Sequence, residues 1–142
     1  MTTLINIINS LNTAISLKKN KIIINKFNNL SLNILKILKD LNIIEFFKVS
    51  SNYKYCTVIL NNITNNFYLS KLTIISKPSR YIYYSVNDLE KLRANDLFND
   101  YIIYINNNNL VNNNSINNIV TIDDAIRLHK GGLVLIKIIK TL

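Results

Sequence analysis

The chain has 142 residues, 49% of them hydrophobic, and carries 17 Lys and Arg against 8 Asp and Glu, a formal charge of +9. That length accommodates one domain or two small lobes with an ample core, and the charge favours a polyanionic partner, either nucleic acid or an anionic membrane surface. A single cysteine, Cys56, excludes an intrachain disulfide and a thiolate metal cluster, and the single histidine, His129, has no companion ligand for zinc.

Apolar runs such as VLIKII are short and contain lysine, so no transmembrane helix is expected. Amphipathic periodicity begins within the first few residues, which argues against a secretory signal or an Arg-rich, Ser-rich presequence. Asn, Ile, Lys and Leu dominate, whereas glycine occurs twice and proline once. The favoured residues have AT-rich codons, so the bias points to an AT-rich genome, and an organelle-encoded protein fits it. The positive charge is mostly lysine, a compact point charge suited to neutralising phosphates more than to planar base reading.

In chain order, TTLINIINSLNTAI places Leu4, Ile7, Ile8, Leu11 and Ile15 at helical spacing, with Thr2 or Thr3 available as cap. A basic turn with Lys18, Lys19 and Lys21 leads to a short β-branched strand, Ile22 to Ile24. Asn28 or Asn29 then caps a second helix whose apolar stripe is Leu30, Ile34, Ile37, Leu38 and Leu41, with Asn42 as a left-handed terminator. IIEFFKV and YKYCTVIL read as a hairpin joined by the polar turn SSN. After NNITNN come the strands FYLSKLTIIS and RYIYYS, separated at Lys77-Pro78-Ser79 by a proline that breaks the ladder. SVNDLEKLRAND predicts a short helix capped by Ser85, with Asp88 at its favourable end. YIIYI is a strand, an Asn-rich segment follows, Thr121 to His129 form a helix, and LVLIKIIK closes the chain as a strand. The expected fold is α+β: an N-terminal αβαββ lobe over residues 1–63, and a C-terminal lobe over 64–142 of mostly antiparallel β with short helices.

The stretch NNNSINNIVTIDDAIRLHKGG carries both glycines of the chain. Thr121 with Asp124 fits a capping box, and Gly131 is expected to supply the left-handed residue that ends the helix. In a sequence so poor in glycine, a retained pair implies backbone that other residues cannot adopt.

Two segments of the C-terminal lobe and one nearer the N-terminus carry a family resemblance. IISKPSRYIYYSVNDLEKL resembles the Val-Ser-Arg-Pro-Gly-Leu-Arg-Ile-Tyr-Lys…Asp-Glu-Leu segment of small-subunit ribosomal protein eight, with Ser76, Lys77, Pro78, Ile82, Tyr83 and Leu89 matching without a gap. The C-terminal block resembles that family's Ser-Thr-Ser-x-Gly…Thr-Asp-x-x-Ala…Gly-Gly run. There Asn114-Ser115-Ile116-Asn117-Asn118 stand in the loop, and Thr121, Ala125, Leu128, Gly131 and Gly132 match directly. IIEFFKV is similar to the family's Phe-Ile-Glu-Asp-Phe-Lys-Val. Several positions depart from the pattern. Ser79 replaces the glycine after proline, Tyr81 replaces an Arg that Arg80 precedes by one place, and Asn114 and Ile116 replace two hydroxyls. Asn118 replaces the loop glycine, a substitution compatible with positive φ. Asn106 to Asn113 read as an insertion, and Asn29 occupies a usual Lys position with Lys26 nearby.

The resemblance implies a non-enzymatic structural constituent of the small ribosomal subunit, here of a mitochondrion or, second, a plastid-type organelle. It would bind the central domain of the small-subunit rRNA and support platform assembly beside neighbouring ribosomal proteins, with no cofactor, metal, membrane or small-molecule substrate. Its RNA-binding residues would be Lys77, Ser79, Arg80, Tyr83, Asn114, Ser115, Asn117, Asn118, Thr121 and Lys130, with Lys18, Lys19 and Lys26 from the first lobe. Pro78, Gly131 and Gly132 would shape the turns. Short hydroxyl and amide side chains suit the 2′-hydroxyls and base edges of an RNA minor groove.

Competing readings stay open beside it: a basic peripheral membrane protein, a generic RNA-binding module, or an Asn-rich self-associating chain. Asp123-Asp124 are ordinary first-turn residues rather than paired catalytic carboxylates, since adjacent helix positions do not face each other. His129 has no readable nucleophile beside it. Cys56 alternates into a strand core. Tyr81, Tyr83 and Tyr84 lie beside Lys77 and Arg80. Strand packing by alternation accounts for at least Tyr81 or Tyr83, and an outward ring in this cluster can stack on a base.

Overall fold

The computed structural model describes residues 2–41, 43–60, 63–64, 67–105 and 118–141, and these form an α+β fold. It divides into two compact units, residues 1–73 with 139–142, and residues 74–138. The boundary expected after residue 63 therefore falls earlier than the observed division, and the last residues of the chain belong with the first unit.

The first unit begins with the αβαββ order expected: helix α1 (Thr2–Ser16), strand β1 (Lys21–Ile24), helix α2 (Asn29–Asp40), and strands β2 (Ile44–Val49) and β3 (Cys56–Leu60). The three strands form an antiparallel sheet ordered β1-β3-β2, which leaves β1 and β2 as edges. Helix α1 lies against α2 and β1, and α2 against β2. The apolar stripes account for this packing: Leu4, Ile7, Ile8 and Leu11 of α1 and Ile34, Leu35 and Leu38 of α2 are all buried. Asn28 caps α2 reciprocally. Its side chain accepts from the Ser31 N–H at 2.9 Å, and the Ser31 hydroxyl accepts from the Asn28 N–H at 2.8 Å. The expected left-handed Asn42 lies outside the described residues.

Helix α1 closes in a Schellman motif: the Lys18 N–H donates to the Ile15 carbonyl and the Lys19 N–H to that of Ala14. Lys18, at φ 55°, takes the left-handed position that glycine usually fills. The sequence had no glycine to announce this stop. Strands β4 (Ile63–Thr64) and β5 (Phe67–Ile74) pair as a short hairpin. Asn12, mid-helix in α1, bonds Leu72 like a strand neighbour, donating to its carbonyl and accepting from its N–H, both at 2.8 Å. Cys56 is fully buried, as expected, and that burial raises its thiol pKa although a backbone N–H, that of Lys48, pulls the other way.

One element departs from expectation here. Tyr53-Lys54-Tyr55, read as the start of a strand, lie in the β2–β3 turn, because β3 begins at Cys56. The Ser50 hydroxyl accepts from the N–H groups of Lys54 and Tyr55, at 3.1 and 3.2 Å, and Asn52 supplies a further acceptor for Lys54. Local side chains thus satisfy backbone donors that a ladder would otherwise take.

In the second unit the order is strand β6 (Tyr83–Tyr84), helix α3 (Val86–Asn95), strands β7 (Asp100–Ile105) and β8 (Ile119–Thr121), helix α4 (Ile122–Arg127) and strand β9 (Gly132–Thr141), of which residues up to 138 belong to this unit. β9 lies between β6 and β7, and β7 pairs in turn with β8, all antiparallel. Alternation puts Tyr101, Ile103 and Ile105 of β7 on one face, where they form a core with Leu89, Ile122, Ala125 and Val134. Ser85 and Asp88 cap α3 reciprocally, as the sequence indicated.

Helix α4 is also capped by Thr121, whose hydroxyl accepts from the Asp124 N–H at 3.4 Å. Asp124 does not reach back, because its carboxylate pairs with Arg127 at 2.7 Å. The far end of α4 overturns the sequence expectation. No glycine has positive φ, and the left-handed residue is His129, at φ 54°. His129 donates to the Ile126 carbonyl and Lys130 to that of Ala125, a second Schellman motif completed at Lys130, immediately before Gly131.

Candidate nucleic-acid interface

The SKPSR segment is a tight two-residue turn. The Arg80 N–H donates to the Lys77 carbonyl at 2.9 Å and the Lys77 N–H to that of Arg80 at 3.0 Å, with Pro78 and Ser79 at the corners. Proline's fixed φ suits the first corner. Ser79 is not among the residues with positive φ, so the turn is not of the type that needs glycine at its second corner. That is why serine is acceptable where the resembling family has glycine. All four side chains of the turn are exposed.

What anchors the turn is Ser76, which is fully buried. Its hydroxyl donates to the Val134 carbonyl and accepts from the Ile82 N–H at 3.1 Å. On either side of the turn the chain runs along β9. The Ile75 N–H donates to Leu135, the Val134 N–H donates to Ile82, Tyr83 lies opposite Leu133, and Tyr84 lies opposite Gly132. Lys77 and Arg80 are therefore held on a rigid excursion from a sheet edge, a better platform than a free loop.

Alternation runs opposite to the expected phase. Ile82 and Tyr84 are partly buried, whereas Tyr81 and Tyr83 are 50% and 71% exposed. Neither of those two rings belongs to the core. Tyr83 borders an open groove of about 390 Å³ together with Tyr84, Asp88, Lys91, Leu92 and Asn95.

The two glycines owe their place to close approach. A β-carbon on Gly131 would strike the Tyr84 carbonyl oxygen and come within 2.9 Å of Ser85 Cα; one on Gly132 would strike the Tyr104 carbonyl oxygen and come within 3.0 Å of Ile105 Cα. The expected backbone conformation that other residues cannot adopt is absent, since neither glycine has positive φ; what excludes a side chain is close contact with neighbouring backbone.

A transverse row across the sheet joins the two segments that carry the resemblance. Tyr84 lies opposite Gly132, Gly132 opposite Ile105, and the Ile105 N–H donates to the Asn118 carbonyl at 2.7 Å. One flank of the Asn-rich segment, Ile105, thus lies opposite Gly132, which in turn lies opposite the strand that follows the SKPSR turn, and the other flank, Asn118, bonds Ile105. Lys130, partly buried, immediately precedes the glycines. Asn114, Ser115 and Asn117 lie outside the described residues, as does the expected insertion at 106–113. Asn118 is described and does not adopt positive φ. Thr121 uses its hydroxyl in the α4 cap.

The remaining candidates, Lys18, Lys19 and Lys26, belong to the first unit, and all are exposed there. Lys19 lines, with Lys21, Ser10, Thr13, Ala14, Ile22 and Ile23, an open groove of about 600 Å³ beside the edge strand β1.

Charge is divided unevenly, which the sequence reading missed because the division depends on where the units part. Residues 1–73 with 139–142 hold ten lysines against Asp40 and Glu45, a balance of +8. Residues 74–138 hold seven Lys and Arg against six Asp and Glu, a balance of +1, so the two together give the whole chain's +9. Much of the second unit's charge is internally engaged. Arg93 bonds Asp123 at 3.0 Å and lies 3.7 Å from Asp100, Arg127 pairs with Asp124, and Lys137 lies 3.7 Å from Asp96. Asp96 also accepts from the Asn99 backbone and amide and from the Tyr101 hydroxyl. Burial alone would raise its pKa, but these donors and Lys137 outweigh that and hold it below the ordinary value. Burial first, then the bond to Asp96, push the Tyr101 hydroxyl up to about 12.

Asp123 and Asp124 are each engaged in an ion pair. Among the described residues no cluster of three or more His, Cys, Asp or Glu could hold a metal ion, and no helix is long and apolar enough to cross a membrane. A scan against models of known protein families matches none, and a search of curated proteins finds no match.

Proposed function

We propose that this protein is a structural RNA-binding constituent of the small ribosomal subunit, in a mitochondrion, contacting the central domain of the small-subunit rRNA. The observation that carries the reading is the transverse row. Two sequence segments that resemble one ribosomal family, and that are separated in sequence by strand β7, meet side by side where β6 pairs with β9. The same segment presents the exposed Lys77 and Arg80 and the outward Tyr83, residue types suited to phosphates and base faces. The fold supplies rigid presentation, and the excess of lysine supplies attraction to a polyanion.

Binding of the full chain to a central-domain rRNA fragment tests this, with a duplex of unrelated sequence as comparator. Preferential binding and protection of a defined segment are expected. If about five phosphates are neutralised, the logarithm of affinity falls against that of salt with a slope of about −4 to −5 on duplex-like RNA. Replacing Lys77 and Arg80 together by Ala should lower that slope by about 2 and leave the fold intact. Equal affinity for both RNAs would reduce the reading to a generic RNA-binding module; no affinity for either would overturn it.

A further inference from the structure

The tip of the β2–β3 hairpin belongs to neither the row described above nor the core. Tyr53 is 77% exposed and Tyr55 44% exposed, with the exposed Lys54 between them. An exposed pair of aromatic rings on a mobile loop would mean little, but this loop is built. The Ser50 N–H donates to the Tyr55 carbonyl at 2.9 Å, the Tyr53 N–H donates to the Ser50 carbonyl at 3.0 Å, and the Ser50 hydroxyl, besides accepting from Lys54 and Tyr55, donates to Asn52 at 2.7 Å. Every polar contact serves to fix the backbone, and the three side chains at the apex are left outward.

Tyr53 is also held at φ 57°. For a bulky side chain that conformation is costly, and outliers of this kind gather where a fixed side chain is put to use. Solubility alone would favour a glycine or asparagine at such a position.

The surroundings select the partner. Between Phe46 and Leu60 there are two lysines, Lys48 and Lys54, and no acidic residue. The unit that bears the tip carries nearly all of the chain's net charge, +8 of +9. Among the described residues, no ion pair joins Lys48 or Lys54 to a carboxylate. Aromatic faces that flank a cation within a cationic unit match the chemistry of single-stranded nucleic acid: planar bases with a phosphate between them.

We propose that Tyr53-Lys54-Tyr55 is a second RNA contact, in which the tyrosine rings stack on unpaired bases and Lys54 neutralises a phosphate. This rests on reading the chain as an RNA-binding protein and extends it to unpaired RNA held by the first unit.

The test uses the full chain and three probes: an unstructured oligoribonucleotide of mixed sequence, an RNA duplex, and vesicles of anionic phospholipid. Tyr53→Gly removes a ring and relieves the dihedral, so its melting temperature should hold or rise while binding falls. Combined with Tyr55→Ala, it should weaken binding to the oligoribonucleotide by roughly five- to a hundredfold per stacked base lost and leave duplex binding nearly unchanged. Lys54→Ala should lower the salt slope on the single strand by about 0.7. If the wild-type chain binds RNA and the tyrosine variants bind the single strand equally well, the tip is not a contact, although the RNA reading survives. If the wild type binds no RNA, the underlying reading fails and this proposal with it. Vesicle binding that depends on the two tyrosines, without single-strand binding, would reassign the tip to a membrane surface and overturn the proposal.

Discussion

The end of α4 offers a test in which two neighbouring substitutions should act with opposite signs. His129 carries the left-handed dihedral of the Schellman motif and Gly131 does not. A left-handed conformation costs a residue with a β-carbon about 1–2 kcal/mol. Glycine at position 129 removes that cost, offset by about 0.5–1 kcal/mol of additional unfolded-state freedom. His129→Gly should therefore stabilise by about 0.5–1 kcal/mol. Gly131→Ala should do the reverse. Its β-carbon would face the Tyr84 carbonyl oxygen and, at 2.9 Å, Ser85 Cα, both backbone atoms at the junction of β6 with the α3 cap. Neither can rotate away as a side-chain tip could. Overpacking of this kind costs about 1–3 kcal/mol, and alanine's smaller unfolded-state entropy returns at most about 1 kcal/mol.

The two variants should then differ by about 2–3 kcal/mol in urea-denaturation free energy. In thermal melts they should lie on either side of wild type, with each kcal/mol shifting Tm by about 2–8 °C. Because the clash would push β6 from β9, Gly131→Ala should also weaken the RNA binding proposed above, whereas His129→Gly should alter it little. A stable Gly131→Ala protein paired with a weakened His129→Gly protein would refute this assignment of the helix stop and return the left-handed residue to Gly131.

Two further outcomes follow from the packing. Asn12→Ala deletes both bonds to Leu72 and leaves a buried residue's N–H and carbonyl without their partner, so it should destabilise by about 2–4 kcal/mol in chemical denaturation; a loss below about 0.5 kcal/mol would mean that water replaces the amide. Tyr101 binds its proton more tightly when folded, since its pKa rises from 10 to about 12, so its contribution is complete below pH 10 and lost as pH climbs through 12. Stability should fall by up to about 2–3 kcal/mol across that window, and Tyr101→Phe should flatten the fall; an equally steep alkaline loss in that variant would assign the effect to other groups.

Much of the fold was legible because its signals are local. The helix stripes, the Ser85–Asp88 box, the Asn28 cap and the β-branched runs all act within a few residues, the distance over which sequence spacing and backbone hydrogen bonding are tied together. Where local reading failed, the deciding partner was usually far along the chain or an uncommon residue filled a common role. Lys18 and His129 terminate helices without glycine because each motif's hydrogen bonds close around them. Tyr53 and Tyr55 have good strand propensity, yet Ser50 and Asn52 capture the backbone donors of this segment.

By itself, then, the sequence determined the α+β class, the order of the main elements without the short strands β4 and β8, the net charge and the residue types present, since these follow from composition and short-range periodicity. Only the tertiary structure decided why Gly131 and Gly132 must lack a β-carbon, how Ser76 anchors the SKPSR turn, which tyrosines face outward, and that almost all the net charge resides in the first unit. Each of these depends on how closely strands remote in sequence approach one another, or on which carboxylates fold back onto which cations. No spacing of neighbours along the chain encodes those distances.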